Sequence, residues 1–336
     1  MTNENKHQAD TRNRTTFSPQ PSAFCLLILS LLLPLTSCAR TETEIAESPP
    51  TSSVETTVVQ HVTGEPVRVG ILAIDSAVSV NERYSPLLNY LSEVTGRPVE
   101  LIPLTQESQF TEVAEGNLDF TLNNPLAAVQ IRRLYNTEFL TTHVRPQTGA
   151  EFSALIIVKR DSDIQTLEDL RGKTAACVDF ETAAAGCIFQ IYHLQQNGID
   201  PFTEFSSFVE NKSQDNIVLA VLNGTIDVGF VRTGQLEKMV NKGLINSTDE
   251  VKIINPANDN FYYKHTTALY PEWSLAALPD TDPQLVDKVK DALLNIPANH
   301  PALTAARLEK FAPAADYSEL DRLIETLKLK SWNAKP

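Results

Sequence analysis

The stretch "TAACVDFETAAAGCIF", residues 174–189, gathers residue types that could do chemistry. A β-prone apolar run ends at Asp179, small residues then open a helix-like pattern, and Cys177 and Cys187 bracket the junction. A strand that turns into a helix through small residues can hold an anion on free backbone amides, yet here Glu181 puts an acid at the turn. Catalytic patterns are missing from the sequence. It has no Gly-rich phosphate loop, no His pair for metal and no Gly-x-Ser-x-Gly elbow. Cys177 lies inside the strand pattern, and Cys187 has no base nearby. Asp179 and Glu181 occupy alternate or loop positions, which do not establish a shared acid–base site. The six histidines (His7, His61, His143, His193, His265, His300) show no ligand spacing with the cysteines or with each other. These residues predict binding rather than catalysis, with no metal and no cofactor.

The elements that must position such a site alternate along the chain. "VRVGILAI" reads as a strand, "YSPLLNYLSEVTG" as a helix with apolar residues at helical spacing, "PVELIPL" as a strand and "SQFTEVAEGN" as a helix. "LDFTLNN" is a strand, and "PLAAVQIRRLY" a helix with Pro125 in its first turn. "TEFLTTHV" and "FSALIIVKR" are strands. The second half repeats the rhythm: "TLEDLRG" helix, "KTAACVDF" strand, "AAAGCIFQIYHLQQNG" helix, "FTEFSSFV" strand, "SQDNIVLAVLNG" helix capped by Ser213 or Asp215, "TIDVGFV" strand, "GQLEKMVNKG" helix, "EVKIINP" strand. After "TTALYPEWSLAAL" the pattern predicts a wholly helical tail. This alternation predicts an α/β architecture of two similar halves with largely parallel sheets.

The first residues predict where the chain works. A polar leader with Lys6, Arg12 and Arg14 precedes an apolar run from Ala23 to Leu35, too short to span a bilayer but suited to a signal-peptide core. Leu35-Thr36-Ser37-Cys38 resembles a bacterial lipobox. That resemblance implies cleavage before Cys38 and acylation of its thiol and new amino terminus, so residues 1–37 would leave. From Ala39 to Pro66 the chain is rich in Thr, Ser, Glu and Pro and poor in large apolar residues, which predicts a flexible tether with a reach of about 30 Å. No later stretch approaches 18 apolar residues, so no membrane span is expected. The destination is extracytoplasmic, on a membrane, at the periplasmic face or cell surface. Cys25 leaves with the leader and Cys38 takes lipid. Cys177 and Cys187 remain, and an oxidising compartment favours a disulfide between them over a pair of free thiols. Net charge is −14, and the leader carries three cations against two acids, so the mature chain is more acidic still. Nucleic acid is excluded, because it demands a basic footprint.

"TLEDLRGKTAACVDFETAAAG", "GIDPFTEF", "SQDNIVLAVLNGTIDVGFVRTGQLE" and "GRPVELIPL" closely resemble the phosphate/phosphite/phosphonate-binding proteins of ABC importers. "LYPEWSLAALPDTDPQLVDKVKDALLNIP" is more similar to extracytoplasmic sensor regions of two-component histidine kinases. The resemblance runs from about Val67 to Leu329. It implies a two-lobed type II periplasmic-binding-protein clamshell with a helical C-terminal tail. Lobe one would hold residues 67–149 plus 268–330, and lobe two 150–267, behind a lipidated tether at 38–66. The ligand would sit between the lobes, at strand carboxyl ends and helix N-termini.

Four strand ends then face the cleft: Asp75-Ser76, Asn123-Asn124, Glu181-Thr182 and Ser213-Gln214-Asp215, with Arg232 reaching in from a fifth. Each also has a plainer role. Asp75 and Ser76 fit a loop, Asn123 and Asn124 a turn, and Ser213 or Asp215 a helix cap, while Arg232 could pair with Glu237. Tyr84, Tyr262, Tyr263 and Tyr270 could line the cleft or fill core and rim. The resemblance also implies a Ser/Thr-rich run where this chain has "ETAAAG", and a Ser-His-Asp where it has Ser213-Gln214-Asp215. Fewer donors and an added acid predict a less charged, zwitterionic or cationic ligand, unless Arg232 and backbone amides compensate. The implied function is solute binding for an ABC importer, with closure around the ligand recognised by a membrane permease. The alternative is a ligand sensor whose partner is a membrane histidine kinase, which would be a separate chain.

Overall fold

The computed structural model describes residues 64–329, which belong to one compact unit. Cys38, the expected leader and most of the expected tether lie outside the described residues. The chain opens with β1 (Val67–Leu72), α1 (Ala77–Thr95), β2 (Val99–Leu104), α2 (Ser108–Ala114), β3 (Phe120–Asn123), α3 (Pro125–Tyr135) and β4 (Glu138–Val144). The short β5 (Glu151–Phe152) leads to β6 (Ala154–Lys159), β7 (Thr174–Cys177), α4 (Phe189–Gln196), α5 (Pro201–Glu204), β8 (Ser207–Glu210) and α6 (Gln214–Leu222). Then come β9 (Val228–Arg232), α7 (Gln235–Asn241), β10 (Val251–Ile253), β11 (Tyr270–Pro271) and β12 (Ser274–Ala277). The chain ends with α8 (Pro283–Leu294), α9 (Pro301–Ala306), β13 (Lys310–Pro313) and α10 (Ser318–Leu327).

The strands form two main sheets. One has the order β13-β4-β12-β3-β1-β2, the other β10-β6-β9-β7-β8. In the first, β1 is parallel to β2 and β3, while β12 and β13 run antiparallel to their neighbours. In the second, β7 is parallel to β8 and β9, and β6 is antiparallel to β9 and β10. The chain leaves the first sheet after β4 and returns at β12. Between the two passages β5 pairs antiparallel with β11, as a two-stranded strap. Continuous apolar runs such as "LIIV" in β6 are buried throughout, because helices cover both faces of such a sheet.

Four local readings change. Helix α1 begins at Ala77, seven residues before the expected start, so Pro86 lies inside it. Interior proline costs a helix about 3 kcal/mol. Here the buried stripe Val80, Tyr84, Leu87, Leu88 and Leu91 outweighs that loss. The expected strand from Phe202 starts only at Ser207, because Asp200 accepts from the Phe202 amide at 3.1 Å and Pro201 opens the short α5. The helix expected from Ala183 opens with a π-helical turn, Ala184–Ile188, before α4. The C-terminal tail is helical except for β13, which adds a strand to β4 inside the expected "PALTAARLEKF" helix. Arg307 ends α9 in the left-handed region (φ 57°), and four residues later Phe311 is buried in the core of the first sheet.

Helix α10 ties the two halves together. Leu320, Leu323 and Ile324 join an apolar cluster continuous with the second sheet. Arg132 and Arg133 of α3, beside the first sheet, pair with Asp321 of α10.

Candidate ligand-binding site

The carboxyl ends of β1, β7 and β9 and the starts of α3, α6 and α7 converge on a chamber of about 630 Å³. Six of the sequence-derived candidates line it: Asp75, Asn124, Ser213, Gln214, Asp215 and Arg232. Their plainer roles are also real. Asn124 caps α3 through the Ala127 amide (3.0 Å), and Ser213 caps α6 through the Asn216 amide (3.3 Å). Gln214 accepts from the Arg232 amide at 2.9 Å, fixing the end of β9 against the start of α6. Asp75 reaches Lys238 at 2.6 Å. Asp215 lies 3.6 Å from both Lys238 and Lys242 and also accepts from Gln235. Burial raises the Asp75 carboxyl, but the Lys238 hydrogen bond and charge outweigh it and hold it below the usual carboxylate range. Asp75 and Asp215 are thus already compensated, while Glu107 also lines this chamber.

The structure places the other four candidates elsewhere. Ser76 caps α1 by accepting from the Ser79 amide at 3.1 Å. Asn123 is buried and donates to Gln109 at 2.6 Å. Glu181 and Thr182 are spent on joining the lobes. The Glu181 carbonyl accepts from Gln130 (2.8 Å) and the Thr182 carbonyl from Asn124 (3.0 Å), while the Thr182 hydroxyl lies 2.9 Å from Gln106 Oε1. With Asp75–Lys238, these contacts cross between elements of the two sheets.

The loop between β7 and α4 contributes small residues without hydroxyls. Ala183, Ala184, Ala185 and Gly186 all line the chamber. Asp179 organises the loop by accepting from the amides of Glu181 (3.0 Å) and Thr182 (2.9 Å) and from Lys212 (2.8 Å). Cys177 and Cys187 form a disulfide across its base, with Cα atoms 5.0 Å apart. Gly186 is required by close approach, since a Cβ there would stand 2.9 Å from Val178 Cγ2. Val178 is β-branched and stiff at χ1, so it cannot swing clear. Gly186→Ala is therefore expected to cost about 1–3 kcal/mol and to weaken ligand binding. Urea denaturation checks this, and an unchanged midpoint would contradict the packing argument.

A second chamber of about 590 Å³ shares Ile74, Phe152, Arg232, Lys242 and Trp273 with the first. Six cationic side chains line it (Arg83, Arg145, Arg232, Lys238, Lys242 and Arg307) against two carboxylates, Glu237 and Glu272. Arg145 grips the buried Glu272 with Nε at 2.5 Å and Nη2 at 3.2 Å. Arg83, on the inner side of α1, donates Nε and Nη2 to the Ala306 carbonyl at 3.0 and 2.9 Å, which sets it beside Arg307. Arg232 makes no ion pair with Glu237. Its Nη1 donates to the Thr233 carbonyl at 3.1 Å, and its Nε is buried without a partner among the described residues. Burial lowers the Arg232 guanidinium from its usual value, and the charges of Arg145 and Arg83 lower it further. Burial lowers Arg83 too, with Arg145 and Arg307 adding to it. Burial first, then the charges of Arg145 and Arg83, hold the enclosed His143 well below the ordinary imidazole range, so it stays neutral.

Arg83, Arg145, Arg307, Glu272 and Trp273 were not foreseen as site residues. No local pattern marks them; only the position of Trp273 in the sensor-like "LYPEW" segment hinted at it. Of the tyrosines, Tyr84 and Tyr263 line the second chamber, Tyr270 stacks on Phe189 in the core and Tyr262 is exposed. The expectation of a less charged, zwitterionic or cationic ligand rested on the loop and on Gln214, where the resemblance implies a histidine. Arg83, Arg145, Arg232 and Arg307 line the second chamber outside that loop.

Comparison with known proteins gives this geometry a context. The tetrathionate sensor histidine kinase TtrS of Salmonella typhimurium is 29% identical over 265 residues, 77% of this chain. The chain spans only 43% of that kinase's length. The phosphate-import protein PhnD of Mycolicibacterium smegmatis is 23% identical over 240 residues, 67% of this chain and 70% of that protein. The solved structure of PhnD1 from Prochlorococcus marinus in complex with methylphosphonate superposes with a TM-score of 0.65 at 17% identity, covering 79% of this chain and 99% of that one. The fold is thus that of the type II periplasmic binding proteins. Residues 69–318 match the family described as "ABC transporter, phosphonate, periplasmic substrate-binding protein", and the chain belongs to that family.

Proposed function

We propose that this protein is a lipid-anchored, extracytoplasmic solute-binding protein that captures a small oxyanion between its two lobes and presents it to an ABC permease. One observation carries the reading: Arg232, at the end of β9, stands between the two chambers with a buried Nε and no carboxylate partner. A buried guanidinium left unpaired is costly, and an anionic ligand removes that cost. Beside it, the loop 183–186 offers backbone in place of hydroxyls. Lipid on Cys38 and the chain that follows would hold the binding unit within reach of its membrane partner.

A second reading, ligand sensing for a membrane histidine kinase, is favoured by the similarity to the tetrathionate sensor kinase over most of this chain. Both readings share one binding event, so the same experiment tests it. Ligand-free protein is melted with methylphosphonate, phosphate, phosphite, sulfate, tetrathionate and, as a cationic control, arginine. A ligand at 100 times its Kd stabilises by about 2.7 kcal/mol, a readily measured rise in melting temperature. We expect an oxyanion to give that rise and arginine to give none. The opposite pattern, or no shift with any oxyanion, would overturn the reading. Co-purification of a permease or of a kinase with the anchored protein then separates import from sensing.

A further inference from the structure

We infer that the second chamber is an anion site in its own right, and that the physiological ligand is an elongated anion with at least two negative charges. One end is held by Arg83, Arg232 and Arg307, and the body lies along Phe152 and Trp273 into the first chamber. This rests on the oxyanion-binding reading above and deepens it.

The argument starts from charge. Of the six cations around the second chamber, Arg145 is committed to Glu272, Lys238 to Asp75 and Asp215, and Lys242 to Asp215. That leaves Arg83, Arg232 and Arg307, none in an ion pair with a carboxylate among the described residues. Only Glu237 remains to oppose them, with one buried oxygen lacking a hydrogen-bond partner. The chamber thus keeps an excess of two positive charges in a chain whose net charge is −14. Three guanidiniums brought together against their mutual repulsion, Arg83 and Arg232 partly buried and Arg307 at the exposed rim, are an anion site without its anion. Forked donors suit the flat oxygen face of a sulfonate, sulfate or phosphonate group.

Shape supplies the rest. Arg83 and Arg307 reach the chamber from the first lobe and Arg232 from the second, so an anion there is gripped from both sides. The wall common to both chambers holds Phe152 and Trp273, both largely buried and apolar. Chambers of about 630 and 590 Å³ far exceed one tetrahedral oxyanion. A molecule with charge at its ends and a less polar middle matches that sequence of walls.

The test uses the mature full-length chain and calorimetric titration with four probes. Ethane-1,2-disulfonate and propane-1,3-disulfonate are the elongated dianions, sulfate the compact dianion and methanesulfonate the single charge. The disulfonates should bind at least about tenfold more tightly than methanesulfonate or sulfate, since a second charge-assisted contact is worth that much. Arg83→Gln and Arg307→Gln should each weaken disulfonate binding by roughly 10- to 100-fold, and any methanesulfonate binding, which uses the same guanidiniums, should fall with it. Arg307→Lys should recover part of the loss. Circular dichroism melts confirm that each variant is folded; because Arg83 also braces Ala306, Arg307 is the decisive position. If oxyanions bind the wild type but the Arg307 variants titrate like it, the second chamber is not an anion site and the oxyanion reading stands. Equal affinity for methanesulfonate and the disulfonates would overturn the elongated ligand in the same way. If no oxyanion binds the wild type at all, both readings fall together.

Discussion

Arg145→Ala is expected to lower the stability of the folded protein by about 3–5 kcal/mol, because it strands a buried carboxylate. The Glu272 side chain is 4% exposed, and Arg145 supplies two of its hydrogen bonds. Without the guanidinium, Glu272 keeps only the Trp273 amide at 3.1 Å. At about 2–4 °C per kcal/mol for a chain of this size, the melting temperature should fall by on the order of 10 °C. The pH dependence follows from the cation. Burial pulls the Arg145 guanidinium down, but the charge and hydrogen bonds of Glu272 outweigh it and raise it above its ordinary value. Stability from a raised cation is fully present below the unfolded value and is lost only as pH climbs past it. The deficit should therefore be the same from about pH 6 to about pH 9. Glu272→Gln makes a sharper companion. It also destabilises, since Arg145 loses its counter-charge, yet it makes the second chamber more positive and should tighten oxyanion binding. Arg145→Ala should weaken it. Melting curves and anion titrations on both variants check the opposing signs. A melting temperature unchanged by Arg145→Ala would mean the pair carries no net stability.

That pair also shows where a sequence stops being legible. The strand–helix rhythm was readable because each buried strand is a short apolar run and several helices announce their start: Asn124-Pro125, Ser213 and Asp282-Pro283 cap or open helices, whereas Ser76 and Asp200-Pro201 also do so and were not legible as starts. Positions at strand ends were readable for the same reason, and six of the ten candidates do line the first chamber. The second chamber was not. Arg83 lies in α1, Arg145 after β4 and Arg307 after α9, and alone each reads as a solvated charge. Only the sheet order, in which β4 lies between β13 and β12, brings the segments after β4 and before β13 together. Tertiary packing also decided against local signals. It kept Pro86 inside α1, and it drew "KFAP" out of a helical pattern to pair with β4. Glu181 and Thr182 stand outside the first chamber's lining for a related reason. Their carbonyls answer Gln130 and Asn124 on α3, a demand from the other lobe that no local pattern reveals.

Replacing both cysteines, Cys177→Ala with Cys187→Ala, is expected to cost about 2–4 kcal/mol and to lower ligand affinity in the same protein. The disulfide joins the last residue of β7 to the π-helical turn, ten positions on. Between them runs the loop whose residues 183–186 line the first chamber. Other contacts hold that loop too. Val178 donates to the Gly186 carbonyl at 2.9 Å, and Asp179 accepts from two amides and Lys212. Burial raises the Asp179 carboxyl, but Lys212 and those amides outweigh it and keep it charged well into acid. The loop should therefore stay folded without the bridge while its spread of conformations widens. On the oxyanion-binding reading proposed above, this loop would offer backbone amides in place of hydroxyls, and amides bind an anion well only when held in place. Stability and affinity should thus fall together, with the melting temperature lower by about 5–15 °C. Both sulfurs are buried, with each cysteine 0% exposed. A thiol reductant should accordingly leave the native protein intact and reproduce the double variant only once denaturant opens the loop. Affinity retained at the wild-type value in a destabilised double variant would show that the bridge braces the lobe alone. Immediate reduction under native conditions would show that this loop opens far more readily than its packing implies.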